Sequence, residues 1–596
     1  MFEEKDLGKR MVWMQWVVAL SFLFLVFRLW QLQIIKGSEY LARSIKNRTR
    51  VQKIQAPRGF ICDAKGRLLV KNTPSFNVYL IPQYLKNQGA AQEKMANILS
   101  LSPALLKERL ANVESSRLFV PVKAKENIGR EELGLIAQDK MGLPGVIIDV
   151  VPKRAYPEGS VAAHLLGYVG EASNEDLKRG YPSARNRQPG DCLGKGGVEQ
   201  ATDEYLRGVD GSVESEVDAS GQRIGVLTVK EAAQGKSVFL TIDLDLQRLG
   251  EECLGDRDGA LVALDPRDGR VLAMVSHPYF DPGLFSQGMS KRDWGAFLAD
   301  PSCPLINRAI HSQLPPGSVY KVIDAIAGLE EGVVEVSSTF YCPGYLRLGN
   351  RVFGCWKKEG HGRVSLKQAI VSSCDVYFYQ LGLKVGVEKM EKYARLFGLG
   401  EKTGIGLQGE KSGLIPSYNW KKERFGKGWS AGDVACLAIG QGYNLVTPLQ
   451  VLNLYATIAN GGALYRPQYI LGWSDDGGRV GSRFSPRPTR KIPLSPETLE
   501  VVREALWGVV NSPEGTGGRG RVPGIDVAGK TGTAQVVERG KGGGRHCSDH
   551  AWFVAFAPKD APEIAVVAVI EHGGHGGTAA APVVQKFILG WKNRGR

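Results

Sequence analysis

The sequence is poor in histidine and cysteine, has no dense run of one charge, and contains only one long apolar stretch. Its 596 residues include 8 His and 9 Cys, and an odd number of cysteines excludes a fully paired disulfide framework. The net charge of +15 is scattered along the chain, so nucleic acid is not an expected partner. With 43% apolar and 23% charged residues, the composition excludes wholesale disorder and a polytopic membrane protein.

The one apolar stretch lies near the N-terminus. Met11 to Phe27 carry no charged side chain, and after Arg28 the stretch resumes to Ile35. About 20 apolar residues cross a bilayer, and an arginine near one end can reach the headgroups. A cleaved signal peptide is the alternative, but the absence of an A-x-A-like site favours an uncleaved anchor at residues 11–32. Basic residues flank both ends, and the short tail, residues 1–10, favours a cytoplasmic N-terminus.

The length predicts about three to five domain-sized units. Over residues 33–245, short strand patterns alternate with turns and helical stretches, and no nucleophile occurs together with a base. This part is therefore predicted to be a non-catalytic pedestal of the dimerisation type. A glycine-punctuated α/β region, residues 246–596, follows and is predicted to be catalytic.

One segment of the C-terminal region places a serine where a helix is predicted to begin. In residues 314–321 (LPPGSVYK), two prolines and a glycine stop the preceding structure, and helical apolar spacing follows. Ser318 lies at the helix start and Lys321 three residues later, on the same face. A serine is a weak nucleophile until a base removes its proton, and a partly desolvated lysine is such a base. The spacing alone also fits a capped helix with an exposed lysine.

Two further motifs favour catalysis. Ser373 and Asp375 flank a cysteine ahead of an apolar helical stretch. A strand-like run then carries KTGT, namely Lys530, Thr531, Gly532 and Thr533. On a strand the two threonines point the same way, where their hydroxyls could bond a carboxylate beside the lysine charge, and the glycine leaves room for a ligand backbone. The three motifs in this order form the pattern of penicillin-recognising serine enzymes.

With these motifs the chain resembles the class B penicillin-binding proteins. Family members usually carry S-x-N at the second motif, whereas the elongation transpeptidases carry S-x-D, as residues 373–375 do here. Other segments that match the family are Arg58-Gly59 with Asp63 and Gly66, residues 194–199, residues 439–442 and residues 446–450. The resemblance covers nearly everything after the anchor and is weakest at about residues 83–140 and near Asp475.

The resemblance implies an α/β (α+β) fold with three parts. These are a single transmembrane helix, an elongated pedestal of mixed α and β, and a transpeptidase domain with a five-stranded antiparallel sheet between two helical groups. The sequence matches the strands of that sheet at residues 260–265, 271–276, 527–537, 551–557 and 564–570. The strand that carries Lys530 is expected to border the cleft.

The resemblance also implies the reaction, which needs no cofactor. Ser318 would attack the penultimate carbonyl of a stem peptide ending in D-Ala-D-Ala, with Lys321 as base, and an amine of a second stem would take the acyl group. Ser373 and Lys530 would relay the proton to the leaving D-Ala. The residues implied for the oxyanion and the substrate carboxylate are Ser318, Thr531, Gly532 and Thr533. Asp375 would orient Lys321, orient Lys530, or cap the following helix.

The implied partners are peptidoglycan stem peptides, β-lactams, the membrane and an elongation complex with a RodA-type glycan polymerase. The implied location is the bacterial inner membrane, single-pass, with the N-terminus inside and the catalytic domain periplasmic. A D,D-carboxypeptidase or membrane-anchored β-lactamase would use the same site with water as acceptor, but the large module before residue 245 argues against both. A non-catalytic sensor or scaffold is the third alternative, and the intact motifs argue against it.

Four potential metal ligands fall in one 33-residue window: Cys342, Cys355, His361 and Cys374. Nine cysteines in 596 residues predict about half a cysteine in such a window, and three occur. Zinc takes Cys₃His in closed tetrahedral structural sites, so the sequence predicts a structural zinc. A disulfide with a spare thiol, or buried unpaired cysteines, are the alternatives. Cys374 is the middle residue of the S-x-D motif, so the metal would lie beside the predicted catalytic residues.

Overall fold

A computed structural model describes residues 2–85, 89–111, 119–139, 142–143, 145–178, 187–218, 223–474, 480–536 and 548–594. Grouped by internal contacts, the chain forms two compact units, each discontinuous in sequence. Unit 1 comprises Met1–Pro57, Thr73–Lys153 and Gly208–Gln234, and unit 2 comprises Arg58–Asn72, Arg154–Arg207 and Gly235–Arg596. The expected boundaries at residues 10, 32 and 245 stay a prediction.

The N-terminal part of the chain alternates short strands and helices. Its strands are β1 (Thr49–Ile54), β2 (Ile61–Cys62), β3 (Leu68–Leu80), β4 (Val122–Lys125), β5 (Val146–Ala155), β6 (Val169–Glu171), β7 (Cys192–Gly194), β8 (Gly211–Val217), β9 (Arg223–Lys230) and β10 (Val238–Leu240). Its helices are α1 (Phe2–Trp30), α2 (Gly37–Arg48), α3 (Pro82–Leu85), α4 (Gly89–Ile98), α5 (Pro103–Ala111), α6 (Arg130–Gln138), α7 (Ala163–Leu166), α8 (Asn174–Lys178), α9 (Gly197–Ala201), α10 (Asp203–Leu206) and α11 (Leu244–Leu254).

The C-terminal part has longer helices. Its strands are β11 (Gly259–Leu264), β12 (Val271–His277), β13 (Thr339–Cys342), β14 (Tyr345–Leu348), β15 (Arg351–Gly354), β16 (Gly362–Ser365), β17 (Ala463–Tyr465), β18 (Ile470–Ser474), β19 (Val480–Arg483), β20 (Pro488–Lys491), β21 (Ala528–Ala534), β22 (His550–Ala557) and β23 (Ile564–Ile570). Its helices are α12 (Pro282–Ser286), α13 (Lys291–Leu298), α14 (Arg308–His311), α15 (Lys321–Glu330), α16 (Leu366–Val371), α17 (Asp375–Val385), α18 (Val387–Leu396), α19 (Tyr418–Phe425), α20 (Ala431–Ala438), α21 (Pro448–Ala459), α22 (Pro496–Asn511), α23 (Gly576–Ala579) and α24 (Ala581–Arg594).

The first helix fits a single-pass membrane anchor. Helix α1 continues into a π-helical turn, Gln31–Ile35, and residues 8–35 form a helix long and apolar enough to cross a bilayer. None of its apolar window is buried against the rest of the protein. Trp13 and Trp30 are exposed near its two ends, as aromatic residues at the two faces of a membrane are.

Unit 1 contains two β structures. Strands β1, β8 and β9 form an antiparallel sheet in that order, and β9 is its edge strand. From Thr73 onward, β3 pairs antiparallel with β4, and Val78 and Leu80 of this strand join a small core with α3, α4 and α6. Within the described residues of unit 1, we find no serine paired with a base, and the non-catalytic role of this part stays a prediction.

In unit 2, two of the segments that carry the family resemblance meet in a buried ion network. Arg58 donates to Glu199 at 2.8 Å and to Asp203 at 2.7 Å, and Arg154 also donates to Glu199. All four side chains are buried. A buried carboxylate is tolerated only where charge and hydrogen bonds are compensated, so replacing Arg58 alone would leave Glu199 with Arg154 and Asp203 with Arg187 as their remaining cationic partners. The two family-matching segments that contain Arg58 and Glu199 are therefore joined by an ion pair between these residues.

The five-stranded sheet of unit 2 has the order β12-β11-β23-β22-β21, and each neighbouring pair is antiparallel. Alternate residues of β11 face different cores: Val262 packs in the one that contains α21, and Leu261 in the one that contains α11 and α24. The sheet therefore lies between two helical groups, as the family resemblance implies. Strand β21 is shorter than expected, and residue 537 lies outside the described residues. It forms the edge of the sheet and carries Lys530.

Candidate active site

The predicted nucleophile lies on a tight turn against the edge strand. Gly317–Tyr320 forms a 3₁₀ turn, and α15 begins at Lys321. The α-helix that was predicted to begin at Ser318 therefore begins three residues later. Gly317 has φ +56°, and a Cβ there would lie 2.7 Å from the carbonyl oxygen of Thr533. A glycine is therefore required for the turn to reach β21. Ser318 is partly exposed, whereas Lys321 is fully buried.

The structure brings the three motifs together around two lysines. Lys321 Nζ donates to Asp375 Oδ1 at 2.8 Å and lies 3.3 Å from Ser373 Oγ. Lys530 Nζ donates to the same Ser373 Oγ at 2.9 Å. The Ser373 hydroxyl thus links two ammonium groups that are far apart in sequence.

The charge of this cluster is unbalanced, with two lysines against the one carboxylate of Asp375. Lys530 is fully buried, and burial lowers its pKa well below the usual lysine value. The positive charge of Lys321 lowers that pKa further, and Asp375 opposes the shift. Lys530 is accordingly held without its proton more readily than an exposed lysine.

The S-x-D segment is held in a strained turn by Trp356. Ser373 has φ +53°, a left-handed conformation that non-glycine residues rarely adopt. The Trp356 indole N–H donates to the Ser372 carbonyl at 2.9 Å, and its backbone N–H donates to Asp375 Oδ2 at 3.0 Å. Since Asp375 Oδ1 accepts from Lys321, Trp356 positions the carboxylate that orients this lysine. The helix cap is Cys374, whose sulfur accepts from a backbone N–H, and not Asp375.

Replacing Trp356 with phenylalanine removes the indole N–H and keeps the ring and the backbone donor. One hydrogen bond contributes about 1 kcal/mol net, so we expect acylation by labelled penicillin to slow roughly fivefold. The maximal rate should fall while non-covalent affinity changes little, because the contact acts on the turn and not on the ligand. Trp591→Phe, on α24, is the matched control. Equal rates for Trp356→Phe and wild type would contradict the positioning role.

The KTGT strand presents its two threonines to different partners. Thr531 Oγ1 lies 2.7 Å from Thr516 Oγ1, and Thr533 Oγ1 accepts from the Gly576 N–H at 3.3 Å. The sequence predicts that Gly532 leaves room for a ligand backbone, but the structure places other protein atoms beside it. A Cβ there would lie 2.9 Å from the Pro316 carbonyl and 3.0 Å from Val319, so the glycine admits the nucleophile turn itself.

A buried acid lies one turn beyond Lys321 on α15. Both carboxylate oxygens of Asp324 are buried, and neither has a hydrogen-bond partner among the described residues. Burial raises the pKa of Asp324 well above its usual value, and the charge of Lys321 only partly opposes this. The side chain is therefore expected to be a neutral acid in the folded protein.

The raised pKa of Asp324 predicts a pH-dependent gain in stability for Asp324→Asn. The folded state keeps a proton that the unfolded state loses above pH ~4, so wild-type stability falls as pH rises through this range. Asn does not titrate, and the advantage of the variant should grow by roughly 1.4 kcal/mol per pH unit. Melting temperatures from pH 4.5 to 8 test this, with Asp256→Asn on the surface as control. A difference that does not grow with pH would show that Asp324 is ionised when folded.

The four predicted metal ligands form one cluster. Cys342, Cys355 and Cys374 are free and buried, and the donor atoms of the group, His361 included, all lie within 4.8 Å of one another. His361 Nδ1 is 3.7 Å from Cys342 Sγ and 3.5 Å from Cys355 Sγ. Hydrogen bonds from Cys374 and His361 lower the pKa of the Cys355 thiol. The disulfide alternative is not the arrangement found here.

Several residues of the site were not singled out by their sequence pattern. Trp356, Thr516 and Gln441 each bond a motif residue, and Gln441 Nε2 donates to the Thr533 carbonyl at 3.2 Å. Gln441 lies in residues 439–442, which match the family, but the match did not indicate what this residue does. Trp356 and Thr516 gave none, because their contacts are with residues distant in sequence.

Comparison with known proteins shows which family the chain belongs to. The profile of the penicillin binding protein transpeptidase domain matches residues 259–589, and that of the penicillin-binding protein dimerisation domain matches residues 53–240. The chain is 35% identical over 588 residues to the peptidoglycan D,D-transpeptidase MrdA of Acinetobacter baumannii, covering 96% of this chain and 86% of that protein.

Solved structures give the same result. The structure of penicillin-binding protein PBP2 in complex with MreC from Helicobacter pylori matches with a TM-score of 0.79 and 30% identity, over 92% of this chain and 99% of that one. A chain from a peptidoglycan synthase complex that couples polymerisation and crosslinking matches with a TM-score of 0.71 and 32% identity, over 97% of both chains.

Proposed function

Because the chain belongs to the penicillin-binding protein transpeptidase family, we propose that it cross-links peptidoglycan during cell elongation through an acyl-enzyme formed on Ser318. The observation that carries the assignment of residues is the bridge from Lys321 through Ser373 Oγ to Lys530, one turn from the serine. Relatives named for transpeptidation align over nearly the whole chain. They do not favour a D,D-carboxypeptidase, a β-lactamase or a non-catalytic sensor.

The bridge supplies the base. Passing a proton from Lys321 through Ser373 Oγ to Lys530 leaves Lys321 neutral. Loss of the Lys321 charge removes the smaller of the two causes that lower the pKa of Lys530, and burial, the larger cause, remains. Lys321 then accepts the Ser318 hydroxyl proton as Oγ bonds to the penultimate carbonyl carbon. The C–N bond to D-Ala breaks, and its nitrogen takes a proton back through Ser373 and Lys530. An amine from a second stem displaces Ser318 in the reverse sequence.

Strand β21 supplies binding and charge stabilisation. The backbone N–H groups of Ser318 and Thr533 are proposed to bind the oxyanion, which is supported by the close approach of Gly317 to Thr533. One such donor contributes about 3–4 kcal/mol to the transition state in serine hydrolases. Thr531 and Thr533 are proposed to hold the substrate carboxylate near Lys530. Gly532 acts indirectly, by letting the serine turn approach the strand.

One experiment tests the reaction class. The full-length protein should be acylated by fluorescent penicillin and should join a D-Ala-D-Ala donor stem to an acceptor amine, giving a cross-linked dimer by mass spectrometry. Release of D-Ala with water as the only acceptor, even at high amine concentration, would instead identify a carboxypeptidase. Rapid turnover of the penicillin would identify a β-lactamase.

The N-terminal helix and the related proteins support a location in the bacterial inner membrane. We propose a single-pass protein of the bacterial inner membrane, with residues 1–10 inside and the catalytic domain in the periplasm. Since similar chains are solved with MreC and in a peptidoglycan synthase complex, we propose that this chain also joins an elongation complex with a RodA-type glycan polymerase. β-Lactams are proposed inhibitors because they mimic the donor.

We further propose that the cysteine–histidine cluster binds one structural Zn²⁺. In a tetrahedral zinc site, a thiolate sulfur lies about 3.6 Å from a second thiolate sulfur or from an imidazole nitrogen that binds the same metal. The two sulfur–nitrogen distances in the cluster, 3.5 and 3.7 Å, agree with this value. Three thiolates and a neutral imidazole fill the coordination shell, so the metal would supply stability and not a reactive water. Its ligand Cys374 would fix the backbone between Ser373 and Asp375.

Metal analysis tests the zinc site. Protein purified without added zinc should contain about one zinc per chain, and His361→Ala should lose it and melt roughly 5 °C lower or more. Acylation should slow in parallel, because the S-x-D turn loses an anchor. His575→Ala, outside the cluster, is the control. A zinc content near zero, with Cys342 and Cys355 found in a disulfide, would refute the site.

A further inference from the structure

A group of aromatic side chains lies on the surface of unit 2, on α19 and the segments after it. Tyr443 is at its centre, with ring centroids 5.1 Å from Trp420, 5.4 Å from Phe425 and 6.2 Å from Trp429. Trp429 packs against the core of unit 2, whereas Phe425 is 48% exposed. Contiguous aromatic surface of this kind on a folded domain usually marks a binding site.

The group is rigidly built. Lys421 is buried beneath it, forms an ion pair with Asp433, and holds its ammonium 5.3 Å from the Trp429 ring and 5.9 Å from that of Tyr443. The Trp429 indole N–H donates to the Tyr418 carbonyl at 3.0 Å. The Trp429 and Tyr443 rings are therefore held in place before any ligand arrives, which limits the entropy cost of binding.

The group adjoins the reaction centre. Gln441, two residues before Tyr443, donates to the Thr533 carbonyl, and the Gly440 carbonyl accepts from the N–H of Gly317. Two residues of chain span at most ~7 Å, so the aromatic surface begins at the margin of the site.

Basic residues occur beside these rings in the sequence. Lys422, Arg424 and Lys427 are exposed on and after α19, together with the acidic Glu423, while Asp433 is paired with Lys421. Clustered aromatic rings beside basic side chains suit a ligand that has flat faces of C–H groups and nearby carboxylates. A pyranose polymer with acidic stems has both features, whereas an anionic lipid surface offers the charge without the flat C–H faces.

Resting on the proposed function, we propose that this aromatic platform, Trp420, Phe425 and Tyr443 with Lys422, Arg424 and Lys427, binds the glycan strand of the peptidoglycan that is being cross-linked. The rings stack on sugar faces, and the basic side chains attract carboxylates of neighbouring stems. The platform thereby holds the polymer while Ser318 reacts with a single stem. A β-lactam has no glycan strand and does not use it.

The test uses the full-length protein in detergent and glycan chains stripped of stem peptides. Phe425→Ala should weaken glycan binding at least tenfold, and Phe425→Ala with Lys422→Glu should lower cross-linking of polymeric peptidoglycan about tenfold. Labelled-penicillin acylation should stay within twofold of wild type for both, and Leu298→Ala, at another exposed apolar site, should change nothing.

The outcomes separate the two proposals. Glycan binding that is absent in wild type, or unchanged by Phe425→Ala, overturns the platform while penicillin acylation still supports the proposed function. Loss of binding to anionic vesicles or to an elongation-complex protein, with glycan binding intact, also overturns it. Failure of wild type to acylate or cross-link refutes the proposed function itself. Melting temperatures within 2–3 °C of wild type, about 1 kcal/mol, show that the variants are folded.

Discussion

Ser318→Ala is expected to abolish covalent labelling by penicillin. The other hydroxyl of the Gly317–Tyr320 turn, that of Tyr320, is fully buried, so the acyl group has no accessible acceptor in the turn once Ser318 Oγ is removed. Loss of a serine nucleophile lowers catalysis by about 10⁶-fold in a serine protease, which puts residual labelling below detection. The fold should survive, because the Ser318 side chain is partly exposed and the change removes one oxygen.

Gel fluorescence after incubation with labelled penicillin measures the loss, and the melting temperature shows that the variant is folded. Ser337→Ala, an exposed serine of the same unit, should label like wild type. Persistent stoichiometric labelling of the Ser318 variant, mapped to another residue, would disprove the assignment of the nucleophile.

Lys321→Arg is expected to lower the acylation rate about 10³-fold or more. A guanidinium stays protonated at all relevant pH values and cannot accept the Ser318 proton, whereas general-base catalysis contributes 10²- to 10⁴-fold. Lys321 is also fully buried between Asp375 and Ser373, so the larger group disturbs the bridge to Lys530.

The kinetics separate base catalysis from binding. Arginine keeps the positive charge, so non-covalent affinity should change much less than the maximal acylation rate. Lys367→Arg on the surface is the control. If the Lys321 variant acylates within tenfold of wild type, another group removes the proton, and Lys530 is then the first to test.

Much of the sheet could be predicted from the family resemblance together with local pattern. Strands expected at residues 260–265, 271–276, 551–557 and 564–570 are found at Gly259–Leu264, Val271–His277, His550–Ala557 and Ile564–Ile570. Both faces of these strands are buried, so they are continuous apolar runs bounded by turns. The order of the three motifs likewise predicted the centre of the site, because each has a distinct local context.

Contacts between residues that are distant in sequence could not be predicted in this way. The bond between Lys530 and Ser373 joins residues 157 positions apart, and local periodicity says nothing about which surfaces meet. The contact of Gly532 was beyond that pattern for the same reason: its missing side chain makes room for Pro316 and Val319 of the serine turn. Trp356 carries no periodic signal, since its two donors act on backbone and carboxylate atoms of another segment.

The sequence by itself determined the long apolar N-terminal helix, the three motifs and the four sulfur and nitrogen donors, and with the family resemblance it also indicated the strands of the central sheet. These depend on composition and on spacing along the chain, which the backbone geometry of helices and strands converts directly into faces and turns. Only the tertiary structure decided that Ser373 bridges two lysines, that Trp356 holds Asp375, and that an aromatic platform adjoins Gln441. Those relations arise when packed elements bring distant residues together in a buried interior, where burial shifts the pKa of Lys530 and a glycine admits one segment against another.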